Sequence, residues 1–217
     1  QTRLMPVTVR GGYVSIGFSM RPGVGHALQG LDIHTTLDRI IYIENMGLPG
    51  EMALNRLAKI KSADKILTVL EDMIRATINH LGARRPDPVS VQFETATLTN
   101  PAFSVADFAE ELGISQRGLE RIVRRDFGMS PKQVQKRARA LDMAARLRGV
   151  ADEDETAELL LRYYDQSHLI REFTDLFGMP PGQFVTAPQP ILTIALESRQ
   201  ARRLEAIERL KPGEKRP

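Results

Sequence analysis

The sequence predicts a mostly α-helical protein, with a C-terminal all-α half built from a duplicated helical unit and a partial α+β segment in front of it. Three observations predict this. Residues 115–131 align without gaps on residues 165–181. From about Asn100 onward apolar residues recur at three- and four-residue spacing, with no convincing strand. Before that, only the opening stretch alternates as strands do.

Composition sets the outer bounds. A chain of 217 residues suits one large domain or two small ones, and 42% hydrophobic with 26% charged residues is ordinary globular composition. No run of 18 apolar residues appears, so no membrane span is expected, and the start at Gln1-Thr2-Arg3-Leu4 lacks the regions of a secretion signal. The first residue is Gln rather than Met, which leaves room for residues upstream. The absence of cysteine excludes disulfides, thiol nucleophiles and cysteine zinc sites, and fits a cytoplasmic protein. His26, His34, His80 and His168 show no ligand spacing. His26 and His34 could meet on a sheet and hold a metal, but ordinary surface or core histidines are the reading taken, and no metal or cofactor is expected. Gly23-Val24-Gly25 stands without the rest of a phosphate-loop fingerprint, and no serine elbow or acid pair occurs, so the chain does not read as an enzyme.

In chain order, Val7 and Val9, then Val14, Ile16, Phe18 and Met20, alternate on either side of Gly11-Gly12, the pattern of an antiparallel hairpin. A helical stretch follows over roughly 51–82. It places Ile66, Leu70, Met73, Ile74, Thr77, Ile78 and Leu81 on one face, and Gly82 closes it. That face suits packing on the sheet or on a second subunit. Residues 84–88, with two prolines, read as a linker. Residues 1–88 are therefore expected to form one partial segment, strands then helices, suited to dimerisation.

The duplicated stretch shares seven of 17 positions: Gln, Leu, Arg, Phe, Gly, Met and Pro. Each copy opens on an N-cap residue, Ser115 or Asp165, and ends on Gly with Pro three residues later. Each buries one face: Leu119, Ile122, Val123 and Phe127 in the first, Leu169, Phe173, Leu176 and Phe177 in the second. Upstream of the first, Val105, Phe108, Ala109 and Leu112 form a short helix capped by Ser104, and Gly113-Ile114 turns into Ser115. Helix, tight turn with Gly and capped second helix make a helix-turn-helix. In the second copy Glu155 to Leu161 can supply the supporting helix, but Arg162-Tyr163-Tyr164 occupies the turn, which predicts looser packing or weaker binding.

Between the copies Pro131 starts a bridging helix with Val134, Ala138, Leu141, Ala144, Ala145 and Leu147 on its apolar side. Residues 115–148 carry ten basic and three acidic side chains, an excess of seven in a chain whose net charge is +3. Such a local excess is what phosphate neutralisation needs. The buried face leaves Gln116, Arg117, Glu120, Arg121 and Arg124 outward on the first reading helix. The second leaves Gln166, Ser167, His168, Ile170 and Arg171. Arg can pair with guanine, Gln with adenine and Glu with cytosine, so the first set can read base edges, while Arg121 and Arg124 suit bases or phosphates.

These residues resemble the AraC/XylS family of bacterial transcription regulators. The resemblance rests on Val105 to Ser115, Leu119-Glu120-Arg121, Phe127 to Pro131, Tyr163 to Phe173 and Phe177 to Pro181, and covers about 85 residues. It implies seven helices over residues 100–187, sequence-specific binding to promoter DNA and an encounter with RNA polymerase. It also implies that Arg121 and Arg171 anchor the DNA backbone. The sequence carries Glu158 and Arg162 where the family usually has a small residue and a Gly. Phe18 to Gly23 with the Leu57 to Leu70 helix is similar to the tail of a cupin-like sensor, which opens the N-terminal segment to a small-molecule effector and to a homodimer. Residues 190–217 read as a helical, basic extension with a disordered end from Lys211. The other reading of the chain is a helical regulator that keeps this fold but acts through a partner protein.

Overall fold

In the computed structural model the described residues are 2–3, 5, 19–29, 33–42, 44, 49–82, 85–151 and 166–210, and among them the chain is helical with no strand. The helices are α1 (Val24–Gln29), α2 (Ile33–Thr36), α3 (Gly50–Leu57), α4 (Ala63–His80), α5 (Pro88–Thr99) and α6 (Val105–Glu111). They continue as α7 (Gln116–Phe127), α8 (Pro131–Leu147), α9 (Gln166–Phe177), α10 (Pro181–Thr186) and α11 (Pro190–Leu210). The expected α+β, cupin-like remnant gains no support. Its hairpin falls on residues 7–20, of which 7–18 lie outside the described residues, as do the expected supporting helix at 155–161 and the tail from Lys211. The single helix expected over 51–82 is two, because the chain turns at Ala58-Lys59 and Ser62 is extended (φ −91°, ψ 126°) before α4 begins.

α5 lies where sequence periodicity showed nothing. Asp87 accepts a hydrogen bond from the Val89 amide at 3.0 Å and Pro88 occupies the first turn, which together start the helix. Its Phe93 is fully buried and meets Phe103, Phe108 and Phe127 edge-on at 5.6, 5.7 and 5.4 Å. Such rings contribute both buried area and quadrupole contact. Around them gather Ala109, Leu119, Val123, Met129 and Val134, so α5, α6, α7 and the start of α8 share one core.

The first helix-turn-helix forms as its residues suggest. Ser104 caps α6 by accepting from the Asp107 amide, and Ser115 caps α7 by accepting from the Gly118 amide at 3.1 Å. Between them Gly113 takes φ +64°, and the Ile114 amide donates to the Ala109 carbonyl at 3.0 Å. Ala109 is buried where the two helices cross.

Gly128 ends α7 in the left-handed conformation, φ +73°. A Cβ there would sit 2.3 Å from Leu37 Cδ1 and 3.1 Å from Ile33 Cγ2, because α2 docks on this helix end. His34 Nδ1 lies 3.2 Å from the Gly128 carbonyl. Gly178 holds the matching place after α9, with φ +67° and nothing within 4 Å. Gly178→Ala is therefore expected to cost only the backbone term of about 1–2 kcal/mol. Gly128→Ala should cost more, and thermal melts of the two variants measure the difference.

α8 opens with a full capping box between Ser130 and Gln133 and runs on as one helix. Its Ala140, Ala144 and Ala145 pack with Phe173, Leu176 and Phe177 of α9, Phe184 of α10 and Leu196 of α11 in a second core. α11 folds back over both α5 and α8. It is thus a packed element, where the sequence suggested a basic extension.

Behind α7, Asp126 is buried and accepts from Arg125 Nε at 2.7 Å and from the Ser90 hydroxyl of α5. Burial pushes its carboxyl up, and the hydrogen bonds from Arg125 and Ser90 outweigh that, so its pKa lies below the ordinary 3.8. The stability from this site is present above the ordinary value and is lost as pH falls through the lower folded value. Asp126→Asn is expected to flatten the acid limb of stability against pH, as read by denaturant melts from about pH 5 downward.

Candidate nucleic-acid interface

With Leu119 and Val123 fully buried, α7 must turn its other side outward. Gln116, Arg117, Arg121 and Arg124 are exposed and Glu120 is half-buried. Arg117, Glu120, Arg121 and Arg124 line a shallow groove with Ser115 and Gly118. Within it Arg124 Nη2 donates to Glu120 Oε1 at 2.8 Å. An exposed pair one turn apart is worth about 0.3–0.5 kcal/mol, so it is easily exchanged. It nevertheless engages the one carboxylate that the sequence nominated for cytosine. Arg117 and Arg121 make no ion pair among the described residues. Arg125 points the other way, to Asp126 and to Asp87 at 2.9 Å, and serves the fold.

On α9 the buried residues are Leu169, Phe173, Leu176 and Phe177, as the repeat suggests. Ser167, His168, Ile170 and Arg171 are exposed, and Gln166 opens the helix. His168 Nδ1 lies 3.7 Å from Glu172 Oε1. That Glu172 is buried and is gripped by Arg139 of α8, whose Nε donates to Oε2 at 2.8 Å and Nη2 to Oε1 at 2.5 Å. Arg171 makes no ion pair among the described residues.

The basic excess over 115–148 needs correcting, because much of it is neutralised inside the fold. Lys136 meets Asp175 at 2.7 Å, Arg139 takes Glu172, and Arg125 takes Asp87 and Asp126. Arg148 donates to the Ala187 carbonyl at 2.5 Å and lies over the Phe184 ring. Arg137 is half-buried; burial holds its pKa below the usual guanidinium value, with Arg199 and Arg202 adding to the effect. Within 115–148 the exposed cations without an acidic partner among the described residues are Arg117, Arg121, Lys132 and Arg146. The surface is basic where α7 points outward, and far less so over the rest of the stretch.

Sequence reasoning missed α5 and the packing of α11. The first has a signal, Asp87-Pro88 as cap and first turn, but the two prolines at 86 and 88 give the same residues the look of a linker. The second had none in apolar periodicity, because Arg199, Gln200 and Arg203 lie on its buried face.

Among the described residues no group of side chains has the make-up of a metal site, and no helix is long and apolar enough to cross a membrane. No curated protein and no solved structure matches the chain. Residues 108–187 match a family model described as a helix-turn-helix domain. The match runs from Phe108 of α6, across the Gly113 turn and the Ser115-capped α7, through α8 and α9 to Ala187 just after α10. The chain thus carries a DNA-binding helix-turn-helix domain of the AraC/XylS type, the kind that belongs to transcription regulators.

Proposed function

We propose that the protein is a sequence-specific regulator of transcription that reads promoter DNA chiefly through α7, with α9 as a second, weaker reader. The observation that carries this is the pair Arg117 and Arg121, exposed and without acidic partners among the described residues, on the outward side of a helix whose inner side is buried. Gln116 and Arg117, at the N-terminal end of α7, would enter a major groove and pair with base edges. Arg121 and Arg124 are one turn further on, where phosphates run. On α9, Gln166, Ser167 and His168 take the first role and Arg171 the second. Glu120 joins the readers only if Arg124 leaves it for a phosphate.

α8, of 17 residues, spans roughly 25 Å between the two units. Successive major-groove entries on one DNA face lie about 34 Å apart, so two half-sites on one face suit the protein. We assign residues 1–88 to regulation and dimerisation, 100–187 to DNA reading, and 190–217 to an extension of the DNA-reading part. RNA polymerase is the partner such a regulator acts on, and a small effector would bind the N-terminal segment.

Selection of bound sequences from a random duplex pool tests this reading. The expected consensus has one well-defined half-site and a second, more degenerate one, and Arg117→Ala should erase a position of the first. No enrichment over the starting pool contradicts it. A second reading, action through a protein partner, is favoured by one observation: Met52, Leu54 and Leu67 of α3 and α4 are more than half exposed. A second copy of the chain is the simplest partner for that surface, and sedimentation of the protein over a range of concentrations tests it.

A further inference from the structure

We propose that α11, which lies beyond the matched helix-turn-helix span, is a strut that fixes the distance and angle between the two reading helices. Arg199, Arg203 and Asp142 are the positioning residues that set its register. The inference rests on the two-unit reading of DNA given above and says what makes the two units act as one.

Successive turns of α11 grip different parts of the molecule. Leu192 and Leu196 enter the second core, beside Phe173 and Phe184. Arg199 donates to Asp142 in the middle of α8 and reaches the Ala138 carbonyl at 3.5 Å, while Arg203 Nη1 lies 3.7 Å from the same carboxylate. Arg202, on the neighbouring side, holds Glu94 of α5 at 3.2 Å. Glu205 meets Arg21 of the N-terminal segment at 3.0 Å. One helix therefore ties the second unit, the bridge, the first unit and the N-terminal segment together in order.

Without α11, the two units would be related mainly through α8 and through Arg139, which contacts both Glu172 of α9 and the Pro101 carbonyl before α6. A single helix leaves twist and bend at its ends, and α11 converts that line into a triangle. The chemistry of its buried face suits this use. Apolar contacts would let the helix slide, whereas a carboxylate facing two guanidiniums has one register, and a slip by one turn leaves three buried charges without partners. Arg199, Arg203 and Asp142 are each at most 7% exposed, so water cannot stand in for the lost partner.

For DNA the consequence is a strict half-site spacing. Two linked readers reinforce each other only when the link holds them at the span of their sites, and a stiff link makes that window narrow. The test uses the full chain and duplexes carrying the selected site, the site with two base pairs inserted between half-sites, and the first half-site alone. Two base pairs rotate the second half-site by about 70°. Arg202→Gln loosens the hold on α5. The triple variant Asp142→Leu, Arg199→Met, Arg203→Met replaces the ionic register with apolar contacts and is expected to stay folded, because apolar replacement of a buried ion pair is often neutral.

The wild-type protein should lose about tenfold or more in affinity on insertion, the loss expected when the second reader can no longer engage. The triple variant should lose affinity for the native spacing, bind the inserted site about as well, and bind the lone half-site like wild type. A folded triple variant that keeps the full insertion penalty overturns the strut while leaving the DNA reading intact. A wild-type protein that binds DNA but is indifferent to the insertion overturns the two-unit reading and the strut with it.

Discussion

Asp142→Asn is expected to destabilise the protein by about 3–5 kcal/mol, the cost of leaving buried charge uncompensated. Asp142 is 3% exposed and faces Arg199 and Arg203, themselves 7% and 5% exposed. Asn keeps the shape but carries no charge, so two guanidiniums would remain in a dry site with only a neutral carbonyl to accept from. The pair is not by itself a gain over a well-packed apolar contact, since desolvating three charged groups offsets most of their attraction. The asymmetry between removing one partner and removing all is what the variant exposes. Guanidinium or urea unfolding of Asp142→Asn beside the triple apolar variant reads it directly. Equal, small losses in both would mean that water reaches the cluster.

The second large effect concerns DNA. Arg117→Ala is expected to remove about 1–3 kcal/mol of discrimination at one base position, which is the worth of a bidentate contact to guanine. Arg121→Ala should weaken binding to all sequences alike and lower the salt slope by about one, as for a lost phosphate contact. The difference in role comes from position. Arg117 stands near the N-terminal end of α7, the end that would enter the groove in the proposed reading, and Arg121 is one turn behind it, on the side that would meet the sugar-phosphate edge. Both are exposed and neither is engaged by an acid among the described residues, so alanine at either should leave stability nearly unchanged. Competition binding with a matched set of single-base variants separates the two; identical profiles for both variants would contradict the assignment.

α7 and α9 are legible in the sequence because each has a large apolar residue at every turn and a cap-forming residue type, Ser115 or Asp165, written in front of it. Leu119, Val123, Leu169 and Phe173 are buried as that pattern requires. α5 was not legible for a physical reason. Its one buried face is made of Ser90, Phe93, Glu94, Thr97 and Leu98, and with Ser, Glu and Thr among them it shows no apolar stripe. The sequence shows α11 only as a helical, basic extension, because nothing local reveals that two of its arginines answer a carboxylate placed 57 or more positions earlier in the chain. The same long-range pairing changed the charge argument. Asp87, Glu172 and Asp175 lie outside the basic stretch and neutralise part of it only once the chain has folded.

The central claim is that α7 and α9 hold DNA through their outward cations. Titration of a labelled random-sequence duplex at about 50 and 200 mM salt tests it most directly, because each neutralised phosphate contributes about 0.9 to the slope of log K against log salt. With Arg121, Arg124 and Arg171 assigned to phosphates, and Arg117 able to join them on a random sequence, the account predicts measurable binding at the lower salt and a slope of about −3 to −4. No binding at the lower salt, or binding that does not change with salt, would contradict it.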